Sequence, residues 1–333
     1  MHSSAAARLS ELLAPTRRLA LVGLAKNTGK TETLTAILDE HARTGLRVGV
    51  TSIGRDGERR DVIDARISKP RVRLQAGALV ASTGALLHAS AVPHERLVRT
   101  GIRTPLGEVV IARLQREGTL EVAGPSASCD VRAVSEAMIE LGAEQVLIDG
   151  AVDRRAASSP AVADGLVMAT GAVLGRDIES VVTATADAVE VVRLPLAADA
   201  GEGIVLERQL VLGGEQAEIA ALLQRHADTS TFVVDGALSE RFLEGLLAAR
   251  RGRAQRELTI VAADPTHVFL AQRAPAWYAA QGISLQVLRG IELKVITVNP
   301  VAPQSHRLDS ADLREAIAAA VGEVPVLDVR EPV

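Results

Sequence analysis

The sequence predicts an α/β protein: a mostly parallel sheet covered by helices, followed by a second α/β half of the same style. Three observations predict it. Apolar runs of strand length alternate with stretches of helical period along the chain. Hydrophobic residues make up 47% of the 333 residues and aromatics only 2%, so the core must be Ala, Val, Leu and Ile rather than ring-filled. The first apolar run enters a glycine-bearing turn and then a helical period, the signature of a βαβ unit.

Element by element, residues 1–14 read as a short amphipathic helix with Leu9, Leu12 and Leu13 on one side, broken by Pro15. Leu19–Leu24 is a strand. Thr31–Arg43 places Leu34, Ile37, Leu38 and His41 at helical spacing, Gly45 ends that helix, and Arg47–Ile53 is the next strand. Asp56–Leu74 is polar and charged and reads as a long functional loop or a short excursion. Strands follow at Ala78–Ser82, Glu108–Leu114 and Thr119–Val122, with a helical reading for Leu86–Leu97 and a hairpin or loop at Gly101–Gly107. Val131–Leu141 is a helix stopped by Gly142, and Val146–Ile148 is a buried strand running into Asp149-Gly150. Gly165–Ala169 is a strand, Ile178–Ala188 a helix and Val189–Leu194 a strand.

In the second half, Ile204–Leu206 and Gln209–Leu212 read as a hairpin. Strands are expected at Thr231–Val234, Leu258–Ala262, Leu285–Leu288, Lys294–Val298 and Val324–Val329, and helices at Ile219–Arg225, Phe242–Arg250 and Leu313–Val321. The run Arg250-Arg251-Gly252-Arg253 reads as a solvated turn. The expected division is an N-terminal helix over 1–16, a first domain over 17–195 and a second over 196–333. Val146–Val152 (VLIDGAV) and Phe232–Leu238 (FVVDGAL) echo one another, which two related halves or chance would both produce.

Composition excludes several function classes. With 37 Lys plus Arg against 41 Asp plus Glu the formal net charge is −4, and stacking aromatics are scarce, so a nucleic-acid partner is not expected. The first residues hold no apolar run of membrane or signal-peptide length. Cys129 is the one cysteine, so no disulfide forms within the chain, no cysteine-based zinc site is available, and a reducing cytoplasm is the expected compartment. His88, His94, His267 and His306 lack metal-ligand spacing, and Ser126 and Ser128 have no adjacent histidine to make a nucleophile.

The chemistry concentrates in Leu19–Thr33, LALVGLAKNTGKTET. A strand, a glycine-bearing loop, Gly29-Lys30-Thr31 and a helix make a phosphate-binding loop, in which backbone N–H groups face the phosphates. Gly23, Lys26, Asn27, Thr28, Gly29, Lys30 and Thr31 are the candidate nucleotide-binding residues. Lys30 would reach the β- and γ-phosphates and count as catalytic, and the Thr31 hydroxyl would bind Mg²⁺. The pattern G-x-x-x-x-G-K-[ST] requires glycine at 24; this chain has Leu24, with the glycine one place earlier at Gly23. Asp149, at the end of an apolar strand, would hold Mg²⁺ directly or through water, or serve as a cap or turn aspartate before Gly150. Asp235 has the same setting without a second GKT, and there a structural role is expected. After the second strand, Asp56 or Glu58 would contact the metal or position the attacking water, and Arg55 would touch phosphate; a plain turn remains the other reading. Asn299, ending a strand before Pro300, would read a nucleobase edge or simply make a turn.

The lengthened loop resembles that of dethiobiotin synthetase and its relatives, in the P-loop branch with the nitrogenase iron protein, the septum-site ATPases and the metallochaperone GTPases. Lys26 is similar to that branch's extra lysine, which touches phosphate across a dimer, although its spacing from Lys30 is one residue short; the resemblance thus allows a homodimer. The stretches GLAKNTGKT (23–31), TSIGRDGE (51–58), DGAVDRRAASSP (149–160), ATGAVLGRD (169–177) and VITVNP (295–300) together resemble the smaller reactivase subunits of adenosylcobalamin-dependent lysine 5,6-aminomutase. Arg55 departs from that pattern, which expects an apolar or neutral residue. The resemblance spans most of the chain. It implies a P-loop NTPase that uses ATP and Mg²⁺ to open a mutase holding damaged cobalamin, with the aminomutase and a second reactivase subunit as partners. Such work shifts a population: the nucleotide-bound state must prefer the open mutase. The alternatives are an ATP-dependent ligase that activates a small carboxylate, as dethiobiotin synthetase does, and a nucleotide-binding module without catalysis. No lysine lies in 51–58 to serve the ligase.

Overall fold

The computed structural model describes residues 5–53, 71–150, 158–198, 203–251, 256–303 and 306–330. The chain forms two units: Met1–Val182 with Glu292–Val333, and Thr183–Ile291.

The first unit opens with helix α1 (Ala5–Leu13), which buries Leu9 and Leu13. Strand β1 (Arg18–Gly23) leads into α2 (Lys30–Thr44), whose inward stripe is Thr33, Leu34, Ile37, Leu38 and His41. The chain continues through β2 (Val48–Ser52), β3 (Val72–Leu74), β4 (Leu79–Thr83), α3 (Gly84–Ala89), β5 (His94–Thr104), β6 (Gly107–Leu114), β7 (Gly118–Leu120), α4 (Ser128–Glu140), β8 (Gln145–Asp149) and β9 (Gly165–Gly171), and the division between the units falls within α5 (Ile178–Val192). In the second unit come β10 (Ile204–Leu206), α6 (Arg208–Gly213), α7 (Gln216–Arg225), β11 (Thr231–Val234), β12 (Leu238–Ser239), α8 (Glu240–Arg250), β13 (Leu258–Ala262), β14 (Val268–Phe269), α9 (Pro275–Ala280) and β15 (Ile283–Val287). The chain then returns to the first unit with β16 (Glu292–Asn299), β17 (Val301–Ala302), β18 (His306–Arg307), α10 (Ser310–Val321) and β19 (Val326–Leu327).

The first unit is built on a nine-stranded sheet in the order β19-β16-β9-β1-β8-β2-β4-β6-β5. Pairing is parallel from β19 to β4 and antiparallel for β6 and β5. This is the mixed α/β architecture with a largely parallel sheet that the alternation of patterns implies. Its central strands are buried on both faces, as parallel strands covered by helices must be. Leu21, Leu34, Ile37, Val50, Leu147 and Val167 belong to its core. The second unit has its own parallel sheet, β10-β11-β13-β15, over a separate core that includes Phe232, Phe242, Leu246, Ile260 and Tyr278.

Several local expectations are corrected. The cut at 195–196 does not coincide with the contact-defined units, because β16 pairs with β9 in the first sheet; an apolar run shows that a strand exists, not which sheet it joins. Val189–Leu194 is not a strand: α5 runs on to Val192, with Val181, Thr185 and Val189 buried at four-residue spacing. The β-branched residues that suggested a strand are carried on a helix by packing. Gln209–Leu212 lies in helix α6, and β10 pairs in parallel with β11 rather than in a hairpin. Helix α3 stops at Ala89, a turn and short link follow over residues 90–93, and residues 94–97 start the long strand β5, whose hairpin turn is confined to Pro105 and Leu106. Arg250 is not solvated: it is 8% exposed and donates to the carbonyls of Gln281 and Gly282. The two echoing strands, β8 and β11, lie in different sheets.

Candidate functional site

The site is set by the centre of the first sheet. β1 pairs with β8 on one side and β9 on the other, so the loop leaving Gly23 emerges at the carboxyl edge between two strand ends. That edge is where open α/β sheets take ligands. Leu24 N donates to Ala169 O at 2.9 Å, which extends the β1–β9 pairing by one residue. Leu24 is therefore still strand-like, and this accounts for the absence of glycine there. The glycine requirement falls on Gly23: a Cβ at that position would lie 2.5 Å from Thr28 Oγ1, which is tied down by donating to Ala25 O at 3.0 Å. The longer loop thus folds back over its own first glycine.

Two residues of the loop are left-handed, Asn27 at φ 66° and Gly29 at φ 91°. Asn is one of the few side chains that tolerates this conformation. At Gly29 a Cβ would also lie 3.0 Å from Asn299 Cβ. The first helical bond runs from Thr33 N to Gly29 O at 2.9 Å, so the N–H groups of Lys30, Thr31 and Glu32 precede the helical ladder and remain available at its positive end. The Thr33 hydroxyl donates to Gly29 O at 3.1 Å and meets the Thr297 hydroxyl at 2.7 Å, both threonines being buried. The start of α2 is thereby pinned to β16.

Lys30 Nζ donates to Asp149 Oδ1 and to Gly150 O, each at 2.5 Å. The strand register makes this contact: Leu21 of β1 stands beside Asp149 of β8. Thr31 is half-buried one residue further along, and Lys26 is exposed. Asn299 is 5% exposed and committed on all sides. Its amide donates to Asn27 O at 2.9 Å, while its oxygen accepts from Val301 N at 3.1 Å and from Arg330 Nη2 at 2.8 Å. Arg330 Nη2 also meets Glu32 Oε1, in the first turn of α2, at 3.1 Å. Arg55, Asp56 and Glu58 lie outside the described residues, as do residues 151–157 after Gly150.

The structure therefore brings Gly23, Thr28, Gly29, Lys30, Asp149 and Asn299 together around one loop. Sequence reasoning missed Thr33, Thr297 and Arg330. Thr33 carried a readable signal, as a polar residue on the inward stripe of a helix; Arg330, after the last strand, carried none. The donor set suits a phosphate–magnesium group: loop amides and an ammonium for oxyanions, a hydroxyl and a carboxylate for a hard cation that keeps most of its other ligands as water or phosphate oxygen.

No protein-family model matches the chain, and no curated protein matches it. Among solved structures the chain is similar to the pNOB8 ParA bound to nonspecific DNA, at 11% identity over 91% of this chain and 92% of that one, with a TM-score of 0.30. No helix among the described residues is long and apolar enough to cross a membrane.

Proposed function

We propose that the first unit is a P-loop ATPase module that binds ATP with Mg²⁺ and hydrolyses it. One observation carries the reading: the β1–β8 register sets Lys30 Nζ 2.5 Å from Asp149, beside a loop in which Asn27 and Gly29 are both left-handed. In this reading the N–H groups of Lys30, Thr31 and Glu32 hold phosphate oxygens. Lys30 has three ammonium donors; two are engaged by Asp149 and Gly150 O, and the third is open to a phosphate. The Thr31 hydroxyl and the Asp149 carboxylate would hold Mg²⁺, which when bound supplies charge neutralisation on the phosphates. Asn299 is a positioning residue in this reading, since its amide is occupied in holding Asn27 rather than open to a nucleobase. Asp56 or Glu58 orients the attacking water, and Lys26 reaches phosphate across a homodimer.

The finer reading is that this ATPase serves a protein partner, as the reactivase subunit of an adenosylcobalamin-dependent lysine 5,6-aminomutase acting with a second subunit. It is supported by the five stretches from GLAKNTGKT (23–31) to VITVNP (295–300). The test is ATP hydrolysis by the purified chain and by Lys30→Ala, alone and with a substrate-inactivated aminomutase whose recovery is followed. Turnover that falls in Lys30→Ala, with mutase activity restored by the native chain, is the expected result. Turnover unchanged in Lys30→Ala would overturn the P-loop reading. Turnover without mutase recovery, in the presence of the second subunit, would overturn the reactivase role and direct a screen of small carboxylates.

A further inference from the structure

The second unit carries a charged cluster with no part in the phosphate loop. β13 and β15 are parallel neighbours, and the pairing continues past their ends: Leu288 N donates to Ala262 O at 2.9 Å and Arg289 N to Ala263 O at 3.1 Å. This zipper brings Arg289 beside Asp264, whose side chain is 1% exposed. Asp264 Oδ1 accepts from Thr266 N at 2.9 Å and from the Thr266 hydroxyl at 2.5 Å, which makes it the cap of the short turn Pro265–His267. The same oxygen accepts from His267 Nδ1 at 3.0 Å, and Arg289 Nη2 stands 3.9 Å from Oδ2. Capping accounts for Thr266. It requires neither an imidazole nor a guanidinium on the same buried carboxylate.

Both side chains stay open to solvent, His267 at 39% and Arg289 at 57%. An ionised carboxylate only accepts, so the proton of the neutral ring sits on Nδ1 and the lone pair on Nε2. Among the described residues, neither Nε2 nor the remaining Arg289 donors have a hydrogen-bond partner. One buried group thus orients an open acceptor, and an open cationic fork stands 3.9 Å from its other oxygen, at the carboxyl edge of a parallel sheet, the edge where such sheets take ligands.

We propose that Asp264, His267 and Arg289 form a small-molecule site for an acid that carries an oxyanion and an adjacent hydroxyl, a phosphate monoester or a hydroxycarboxylate. Arg289 donates to the oxyanion, His267 Nε2 accepts from the hydroxyl, and Asp264 fixes the tautomer and ring. The site stands independently of the nucleotide reading.

The experiment follows the His267 ring by ¹⁵N–¹H NMR of the full chain, assigned with His267→Gln, during titration with inorganic phosphate, glycolate and acetate. Saturable shifts with phosphate or glycolate are expected, and whichever acts identifies the source. Acetate, which lacks the hydroxyl, and the variant Arg289→Gln should each bind at least about tenfold more weakly. The same response should persist in Lys30→Ala, which separates this site from the phosphate loop. Ring signals unmoved by phosphate and glycolate, acetate as effective as glycolate, a midpoint unchanged in Arg289→Gln, or a response lost in Lys30→Ala would each overturn the proposal.

Discussion

Replacing Asn299 by alanine removes the strut beneath the Gly23–Thr31 loop. The side chain donates to Asn27 O and accepts from Val301 N and from the Arg330 guanidinium, and it is almost fully buried. Two neutral hydrogen bonds at about 0.5–1.5 kcal/mol each and one to a charged donor at about 1.5–3 kcal/mol set the scale. Arg330 keeps Glu32, and Asn27 lies where water can replace the lost donor, so the expected loss falls at about 2.5–4 kcal/mol. Asn299→Asp isolates the loop contact. It keeps an acceptor for Val301 and Arg330 but sets an oxygen against the Asn27 carbonyl. Urea unfolding should therefore show a smaller loss for Asn299→Asp than for Asn299→Ala. Hydrogen exchange of residues 24–31 and affinity for a fluorescent ATP analogue should suffer in both variants, affinity by about tenfold, the equivalent of one such hydrogen bond. If Asn299→Asp leaves loop exchange and affinity at native values, Asn299 does not hold the loop and the reasoning fails.

Three further outcomes follow from the packing. Gly23→Ala puts a methyl 2.5 Å from Thr28 Oγ1 and should cost about 1–3 kcal/mol, with Thr28→Ala recovering part of the loss in a double-mutant cycle measured by thermal melts. Glu240 is partly buried, which favours its neutral form, yet bonds from the N–H groups of Ala271, Gln272 and Arg273 and from the Tyr278 hydroxyl outweigh burial and hold its carboxyl below the usual glutamate range. A lowered folded-state value means stability that is present above about pH 4.3 and is lost as pH falls through the folded value, so Glu240→Gln should lower stability at neutral pH and flatten the acid limb of a pH–stability curve. Phe232→Ala, at a fully buried position of the second core, should cost about 3–5 kcal/mol, read as earlier loss of hydrogen-exchange protection in β11 and β13 while β1 and β8 are unaffected.

What the sequence made legible was local. The loop from Gly23 to Thr31 combines a buried strand, permissive residues at Asn27 and Gly29, and a helix start, all within one short stretch. Asp149 was legible because packing alone gives an apolar strand no reason to end in a carboxylate, and its arrival at Lys30 follows from adjacent parallel strands. Long-range partners were not legible. Thr33 meets Thr297, and Asn27 meets Asn299 and, through it, Arg330, only because β16 returns beside β9, and nothing in the alternation of patterns encodes strand order. Helix and strand were confused where valines sit at helical spacing in α5 and where a short apolar run, Gln209–Leu212, carried too few residues to fix a period.

The return of Glu292–Val333 to the first sheet has a consequence for biosynthesis. The second unit interrupts the first, so β9, buried along its whole length in the finished sheet, must wait for β16 while the 120 intervening residues are translated, about 6–24 s at ordinary elongation speeds. During that interval an apolar parallel strand presents an unpaired edge, a template for wrong pairing and a natural client for a nascent-chain chaperone. The residues that brace the loop, Thr297, Asn299 and Arg330, all emerge after the interruption. A ribosome-stalled or truncated chain that stops before Thr297 would carry every residue of GLAKNTGKT and still lack the frame that holds the loop, so the loop takes its braced form only after β16 and Arg330 have been made.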